Sequence, residues 1–331
     1  MEAPGRSANL LKRLSPLPPT PGLLMSSSSV PPIRLATRKS PLALWQATWV
    51  AERLQELGHE CELVPLVSQG DNDLRPITAN SGVGLFTKRI QQALIEGAAD
   101  VAVHSLKDLP TEVVPELQLA AVTEREVVQD RLVSRAGWTL EQLPVGAIVG
   151  TSSRRRAAQL LSRRSDLQIR AIRGNVQTRI DQVMRGDFDA TILAAAGLER
   201  LQMTAVTATT LSLTDMLPAP GQAALGIETR RDDARVAAAV AALDHAATRA
   251  AVTAERTLLR ELSGGCLAPI AALGRVEGDR LRLVAVVLTP DGTVRLMADV
   301  EGPVDQAAEL GREAAQKLLS AGAAAIINAA R

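Results

Sequence analysis

AIVGTSSRRRAAQLLSRRSDLQIRAIRGNVQTRIDQVMRGDFDATILAAAGLERL (147–201) is the stretch on which the fold class turns. Within it AIVG (147–150), QIRAIR (168–173) and DATILA (189–194) read as strands. Each runs into residues with helical spacing: SRRRAAQLLSRR (153–164), NVQTRIDQVMRG (175–186) and AAGLERL (195–201). A strand that returns only after a helix cannot make a tight hairpin with its predecessor; it crosses over and lies parallel to it. The alternation therefore predicts a mostly parallel, doubly wound α/β sheet. DRLVSR (130–135) adds a strand ahead of the run, so this body spans about 128–217.

The same alternation is visible toward the N-terminus. IRLAT (33–37) reads as a strand, and Ser40-Pro41 opens a helix with a capping hydroxyl and a proline in the first turn. Leu44, Trp45, Ala47, Thr48, Ala51, Leu54 and Leu57 recur at helical spacing, and Gly58 ends the element. CELVPLV (61–67) is a strand, a loop rich in Gly, Asn and Asp follows, and a helix is predicted over 86–96. DVAVHS (100–105) reads as a strand buried on both faces and runs into LKDLP. Toward the C-terminus LPAPGQAALGIETR (217–230) leads into a further strand. After 246 the order changes to one long helix ending in LSGGC, three strands (269–276, 280–288, 293–300) with TPDG as a turn, and a final helix over 304–321. This predicts two α/β lobes and a smaller C-terminal α+β domain with an antiparallel sheet.

Composition narrows the function classes. The 331 residues are 46% hydrophobic and 22% charged, as in a globular protein with a substantial core. Aromatic residues are 2% and Tyr is absent, which argues against a nucleic-acid partner gripped by stacking. No apolar run approaches the roughly 18 residues of a membrane span. Cys61 and Cys266 are too far apart and too unlike in setting to suggest a disulfide framework. His59, His104 and His245 show no metal-ligand spacing, so no metal is expected. Residues 1–32 hold seven of the eighteen prolines and one acid, Glu2. They read as a disordered extension, as an over-long start ahead of Met25, or as a plastid or mitochondrial transit peptide. Without a transit peptide the chain is expected in the cytoplasm.

The net charge is only +1, yet nine arginines (154, 155, 156, 163, 164, 170, 173, 179 and 185) face just Asp166 and Asp181 between 154 and 185. Arg163, Arg164 and Arg185 suit a solvated helix face. Arg155 and Arg156 follow Thr151-Ser152-Ser153, where a strand gives way to a helix N-terminus with free N–H groups, an arrangement suited to anions. Arg173-Gly174-Asn175 repeats that arrangement, with Arg179 about one and a half turns further on. Two such sites suggest a ligand with several anionic groups, carboxylate or phosphate alike. Arg38, beside Ser40, marks a third strand-to-helix junction. Lys107-Asp108 ends a buried strand, where a carboxylate facing a cleft can serve as a general acid or stabilise a cation, or form only an ion-paired turn. Cys266 follows two glycines on a loop, whereas Cys61 reads as a small core residue and His104 as a satisfied, semi-buried one.

Taken together, RLATRKSPLALWQA (34–47), GLFTKRIQQALIEGAADVAVHSLKDLPTE (84–112), VGTSSRRRAAQLL (149–161), RGNVQTR (173–179), PAPGQAALGIE (218–228) and GGC (264–266) resemble the porphobilinogen deaminase family in order and spacing, from about residue 33 to the C-terminus. The resemblance implies a transferase of tetrapyrrole (heme, porphyrin) biosynthesis, a hydroxymethylbilane synthase. Four porphobilinogen molecules would lose ammonia in turn and add to a dipyrromethane primer, one per chain, held by Cys266 through a thioether; hydrolysis would release hydroxymethylbilane. It further implies Asp108 as the catalytic residue and Lys107, Ser152, Ser153, Arg155, Arg156, Arg173 and Gly174 as cofactor-binding. Arg38, Ser40 and Arg179 would bind substrate. The chain would act as a monomer with a small-molecule substrate and neither nucleic acid nor membrane as partner. The lobes would be periplasmic-binding-protein-like, the first discontinuous (33–124 plus 218–241), the second 128–217 and the third 246–331. Three positions depart from the family pattern: Ala79 and Val83 where loop lysines are common, though Lys88 remains, and Ala223 in place of a glycine. The competing readings are a non-catalytic, two-lobed anion-binding module, which needs neither Cys266 nor a third domain, and a phosphate or nucleic-acid binder.

Overall fold

The computed structural model describes residues 30–66, 87–263 and 268–330. Residues 1–29 of the extension, Ala79, Val83, Gly264, Gly265 and Cys266 lie outside them.

Strand β1 (Ile33–Arg38) leads through Ser40, whose Oγ accepts the Ala43 N–H at 3.4 Å, into α1 (Pro41–Glu56). β2 (Cys61–Leu66), α2 (Lys88–Ile95), β3 (Val101–Ser105) and β4 (Leu117–Val122) follow. The chain then crosses into β5 (Asp130–Ser134), β6 (Ile148–Gly150), α3 (Arg154–Arg163) and β7 (Gln168–Arg170). α4 (Val176–Arg185), β8 (Ala190–Ala194), α5 (Ala195–Arg200) and β9 (Ala208–Thr210) complete the second lobe. A second crossing brings β10 (Leu225–Arg230) and α6 (Ala234–Ala241). Last come α7 (Ala246–Glu261), β11 (Ile270–Glu277), β12 (Arg280–Leu288), β13 (Arg295–Pro303), α8 (Ala307–Ser320) and α9 (Ala323–Ala329).

The first sheet has the order β2-β1-β3-β10-β4 and the second β7-β6-β8-β5-β9. Both are wound on two faces, because alternate side chains of a strand point to opposite sides. Ile33, Leu35, Val101 and Val103 pack under α1 and α6, while Ala36 and Ala102 pack under α2. In the second sheet Leu132, Val149 and Ile192 face Leu160 of α3, and Val133 and Leu193 face Ile180 of α4. The antiparallel β11-β12-β13 sheet buries one face under α7, α8 and α9 and lays Ala271, Leu273, Val286 and Leu288 against Ala158 of α3. Among the described residues no helix is long and apolar enough to cross a membrane.

Alternation of strands and helices did not reveal that each α/β sheet carries one reversed strand. β10 runs antiparallel to β3 and β4, and β5 antiparallel to β8 and β9. Each is the strand entered from a crossing rather than from a helix of its own lobe. β4, β9 and α6 were also not individually foreseen. The predicted final helix starts later, after a 3-10 turn (Val304–Gln306), and Gly322 in the left-handed region separates α8 from α9.

Candidate functional site

β3 stops at Ser105 and the chain makes one 3-10 turn, Leu106–Asp108. Leu106 anchors that turn: it is fully buried, and its N–H donates to Ala224 O at 3.0 Å. The second crossing passes directly beneath. At Gly221 (φ +75°) a Cβ would stand 3.1 Å from Leu106 Cγ and 3.2 Å from Lys107 N, in a conformation that favours glycine. The turn thus exposes Asp108 and leaves Lys107 partly buried. Arg38 and Ser40 sit at the same sheet edge, since Leu35 and Ala36 are level with Val101 and Ala102 in the parallel β1–β3 pairing.

In the second lobe β6 ends in Gly150 and Ser153 caps α3, its Oγ accepting Arg156 N at 3.4 Å. Ser152 Oγ donates to Ile172 O at 2.7 Å, which ties this turn to the segment before α4. Arg155 and Arg156, in the first turn of α3, are not bare ligand-binding groups. Both are buried against Asp130, a fully buried carboxylate at the start of β5. Arg155 Nη2 donates to Asp130 Oδ2 (2.9 Å) and Nη1 to Leu217 O (2.6 Å). Arg156 Nη2 donates to Asp130 Oδ1 (2.7 Å) and Nη1 to Ile192 O (2.9 Å). Burial works against ionisation of Asp130, but Arg156 and Arg155 outweigh it and hold the carboxyl well below its ordinary range. Of its five N–H donors Arg155 uses two in these contacts, and Arg156, whose Nε also donates to Asp130 Oδ2 at 3.3 Å, uses three.

The second helix entrance is built similarly. Asn175 Oδ1 accepts Thr178 N at 2.9 Å, Gln182 Nε2 donates to Arg173 O at 3.0 Å, and Arg179 Nε donates to Gly174 O at 2.9 Å. Gly174 (φ +102°) admits no side chain, since a Cβ would come 2.6 Å from Thr178 Cγ2. The charged groups of the two lobes feel one another. Arg179 is lowered to about 10 by burial, then by Arg156 and Arg173, with Asp108 acting the other way. Lys107 is lowered to about 8 by burial and Arg156, with Asp108 and Asp130 opposing and Arg155 assisting. Lys107, Asp108, Arg155, Arg156, Arg173 and Arg179 therefore form one interlobe cluster.

Arg164, read as a solvated charge, is instead clamped by Asp166 and the carbonyls of Leu140 and Leu143. His104 is buried with Nε2 3.0 Å from Glu228 Oε2, and Cys61 is partly buried, its thiol pushed up by desolvation. Sequence reasoning missed two groups at this place, Asp130 and Gln222, and a buried cation beside the second crossing, Arg200, whose Nη2 donates to Ala223 O at 2.6 Å. An acid leading an apolar strand was the only local sign of Asp130. Arg200, at the end of α5, is 7% exposed, lies 5.8 Å from the centroid of the Trp45 ring, and has a buried Nε without a hydrogen-bond partner.

Two family models match the chain: "porphobilinogen deaminase, dipyromethane cofactor binding domain" over residues 33–238, and "porphobilinogen deaminase, C-terminal domain" over 249–320. Among solved structures, the periplasmic aliphatic sulphonate binding protein SsuA from Escherichia coli is similar at 14% identity and TM-score 0.38, over 70% of this chain and 70% of that one. The ancestral amino acid-binding protein AncCDT-1, described as a precursor of cyclohexadienyl dehydratase, is similar at 16% identity and TM-score 0.35, over 64% of this chain and 87% of that one.

Proposed function

The chain belongs to the porphobilinogen deaminase family, transferases that polymerise pyrroles on a dipyrromethane cofactor, and from that premise we propose that it condenses four porphobilinogen molecules head to tail, releasing ammonia at each addition and hydroxymethylbilane by hydrolysis. The single observation that carries this is the interlobe cluster, in which the Lys107-Asp108 turn of one lobe shares its field with Arg155, Arg156, Arg173 and Arg179 of the other.

The donor set fits an acidic oligopyrrole. Among the described residues Lys107, Arg155, Arg156 and Arg179 face two carboxylates, Asp108 and Asp130, a balance suited to a polyanion. When bound, the dipyrromethane supplies the pyrrole α-carbon on which the chain is built. Lys107, Arg155, Arg156 and Arg173, with Ser152, Ser153 and the main chain at Gly174, would hold its acetate and propionate groups. Arg38, Ser40 and Arg179 would grip those of the incoming pyrrole. Planar guanidinium groups are suited to this by bidentate pairing. Asp108, exposed at the tip of its turn, would assist loss of ammonia and stabilise the positive charge that develops on the incoming ring. The Cys266 thiol would be the point of covalent attachment. This reading includes three domains (33–124 plus 218–241, 128–217 and 246–331) and a cytoplasmic monomer.

The test is direct. Incubation with porphobilinogen should release ammonia and form a linear tetrapyrrole, and the intact mass should exceed that of the polypeptide by one dipyrromethane, an increment lost in Cys266→Ser. An unmodified mass in an active preparation would defeat the attachment, and binding without ammonia release would make the protein an anion-binding module instead.

A further inference from the structure

Gln222 is fully buried on the second crossing, and the roles assigned so far leave its side chain unused. Its amide is fixed at both ends. Nε2 donates to Val128 O at 2.7 Å and to Asp130 Oδ1 at 3.0 Å. Both partners are pure acceptors, so the NH2 group has to face them and Oε1 has to face the other way. There the Lys107 ammonium donates to Oε1 at 3.4 Å. The main-chain carbonyl of Gln222 accepts Arg125 Nε at 2.8 Å, and the Arg125 guanidinium pairs with Glu255 of α7. One residue thus touches the first lobe at Lys107, the second at Asp130 and the first crossing at Arg125, which in turn holds Glu255 of the third.

We propose that Gln222 is a positioning residue that holds the Lys107 ammonium in register with the Asp130–Arg155–Arg156 wall, and so sets the spacing at which the two lobes grip an acidic pyrrole. The final clause rests on the proposed function; the positioning of Lys107 does not. The charged groups around Lys107 are Asp108 on its own turn and Asp130, Arg155 and Arg156 from the second lobe. An acceptor at Oε1 favours the ammonium against burial and the two arginines. Removing that acceptor should release Lys107's proton more readily. A glutamate there must place its second oxygen against Val128 O and Asp130 Oδ1, both acceptors, so it takes up a proton, donates to them and keeps its carbonyl oxygen on Lys107.

The experiment is competitive acetylation of the whole, cofactor-loaded protein at pH 7.5 with a limiting dose of isotope-coded acetic anhydride. Peptide mass spectrometry then reads Lys107 against the exposed Lys317 of α8. The chain has only five lysines, so the peptides are readily assigned. A lysine at about 8 is already about one-quarter neutral at pH 7.5, so loss of one hydrogen bond to a charged group predicts Lys107 acetylated about threefold faster in Gln222→Met, against a ceiling of about fourfold. Gln222→Glu, which keeps an oxygen on Lys107, should leave the ratio near wild type. The Gln222→Met variant should also show a raised KM for porphobilinogen at pH 8 that recovers at pH 6.5, where Lys107 regains its proton. An unchanged Lys107:Lys317 ratio in Gln222→Met overturns the proposal, as does an equal rise in Gln222→Glu, which would assign the change to disturbed packing. If the methionine variant does not fold, Gln222→Leu decides in its place: faster acetylation supports the proposal and an unchanged rate refutes it. Shifted acetylation in a protein inert toward porphobilinogen would retire the proposed function and leave the positioning role standing.

Discussion

Replacing Glu255 by glutamine tests how firmly the third lobe holds the two crossings. Glu255 lies on α7 and is fully buried. Its Oε1 accepts Arg125 Nη1 at 2.6 Å and Gly274 N at 2.7 Å, and its Oε2 accepts Arg125 Nη2 at 3.1 Å and Gly221 N at 2.7 Å. One carboxylate therefore binds the first crossing at Arg125, the second at Gly221, and the third sheet at Gly274. Glutamine keeps the shape but has a single oxygen. Whichever way the amide turns, its NH2 meets one guanidinium nitrogen and one main-chain N–H, both donors. A buried N–H is orphaned, and the Arg125 charge, 9% exposed, loses its partner. Removing one member of a buried ion pair costs about 3–5 kcal/mol, the orphaned N–H included. For a chain of this length about 2 °C is lost per kcal/mol, so the melting midpoint should fall by roughly 6–10 °C. Calorimetry of the loaded protein at pH 7.5 measures it. A fall of less than about 2 °C would refute the assignment of Glu255 as the shared anchor, because it would put the cost below 1 kcal/mol.

Two further outcomes are expected. Asp108→Asn alters an exposed side chain, so the melting midpoint should stay put while turnover drops by about 10²–10⁴-fold, the usual contribution of a positioned acid–base group; wild-type turnover would reduce Asp108 to a turn residue. Lys107, lowered to about 8 by burial and then by Arg156, loses its charge as pH rises through that value, so kcat/KM for an acidic substrate should decline above about pH 8. Lys107→Arg, which stays charged, should abolish that limb, and a limb that persists would assign the titration elsewhere. The stability effect has the opposite sense: the unfolded chain binds this proton more tightly, so the Lys107 contribution improves as pH climbs from about 8 toward the ordinary lysine value.

The legible part of the fold was what local pattern controls. β1, β3 and β8 show as apolar runs because their sheets are covered on both faces, and Ser40, Ser153 and Asn175 mark helix starts through the caps they form. β10 was legible as a strand, yet its direction was not, since its partners Val101–Ser105 lie far back in the chain and no local residue records a reversed pairing. The arginine density between 154 and 185 was equally plain. Its internal division was not: Asp130 occupies part of Arg155 and Arg156, and backbone carbonyls with Asp166 occupy Arg164, through contacts that sequence spacing does not encode. Lys107-Asp108 could be read as a strand end, but the Gln222 that faces Lys107 sits on a crossing more than a hundred residues later.

The reversed strands explain why the crossings and the charged cluster coincide. A parallel strand delivers its carboxyl end to the edge where its helix begins, and that edge holds Arg38, Lys107 and Asp108 in the first lobe and Ser152, Ser153 and Arg173 in the second. An antiparallel neighbour starts at that same edge. Asp130 opens β5 opposite Ala194, the last residue of β8, and Leu225 opens β10 opposite Ser105, the last residue of β3. The two segments that join the lobes are therefore forced by topology to arrive beside the basic groups, which is how Asp130 and Gln222 come to lie among them. A change in the angle between the lobes must turn about these segments. The Lys107–Gln222–Asp130 hydrogen bonds bridge the lobes at these segments, so such a change must strain or re-form them. On the proposed function, lobe geometry and grip on the ligand would in this way be coupled.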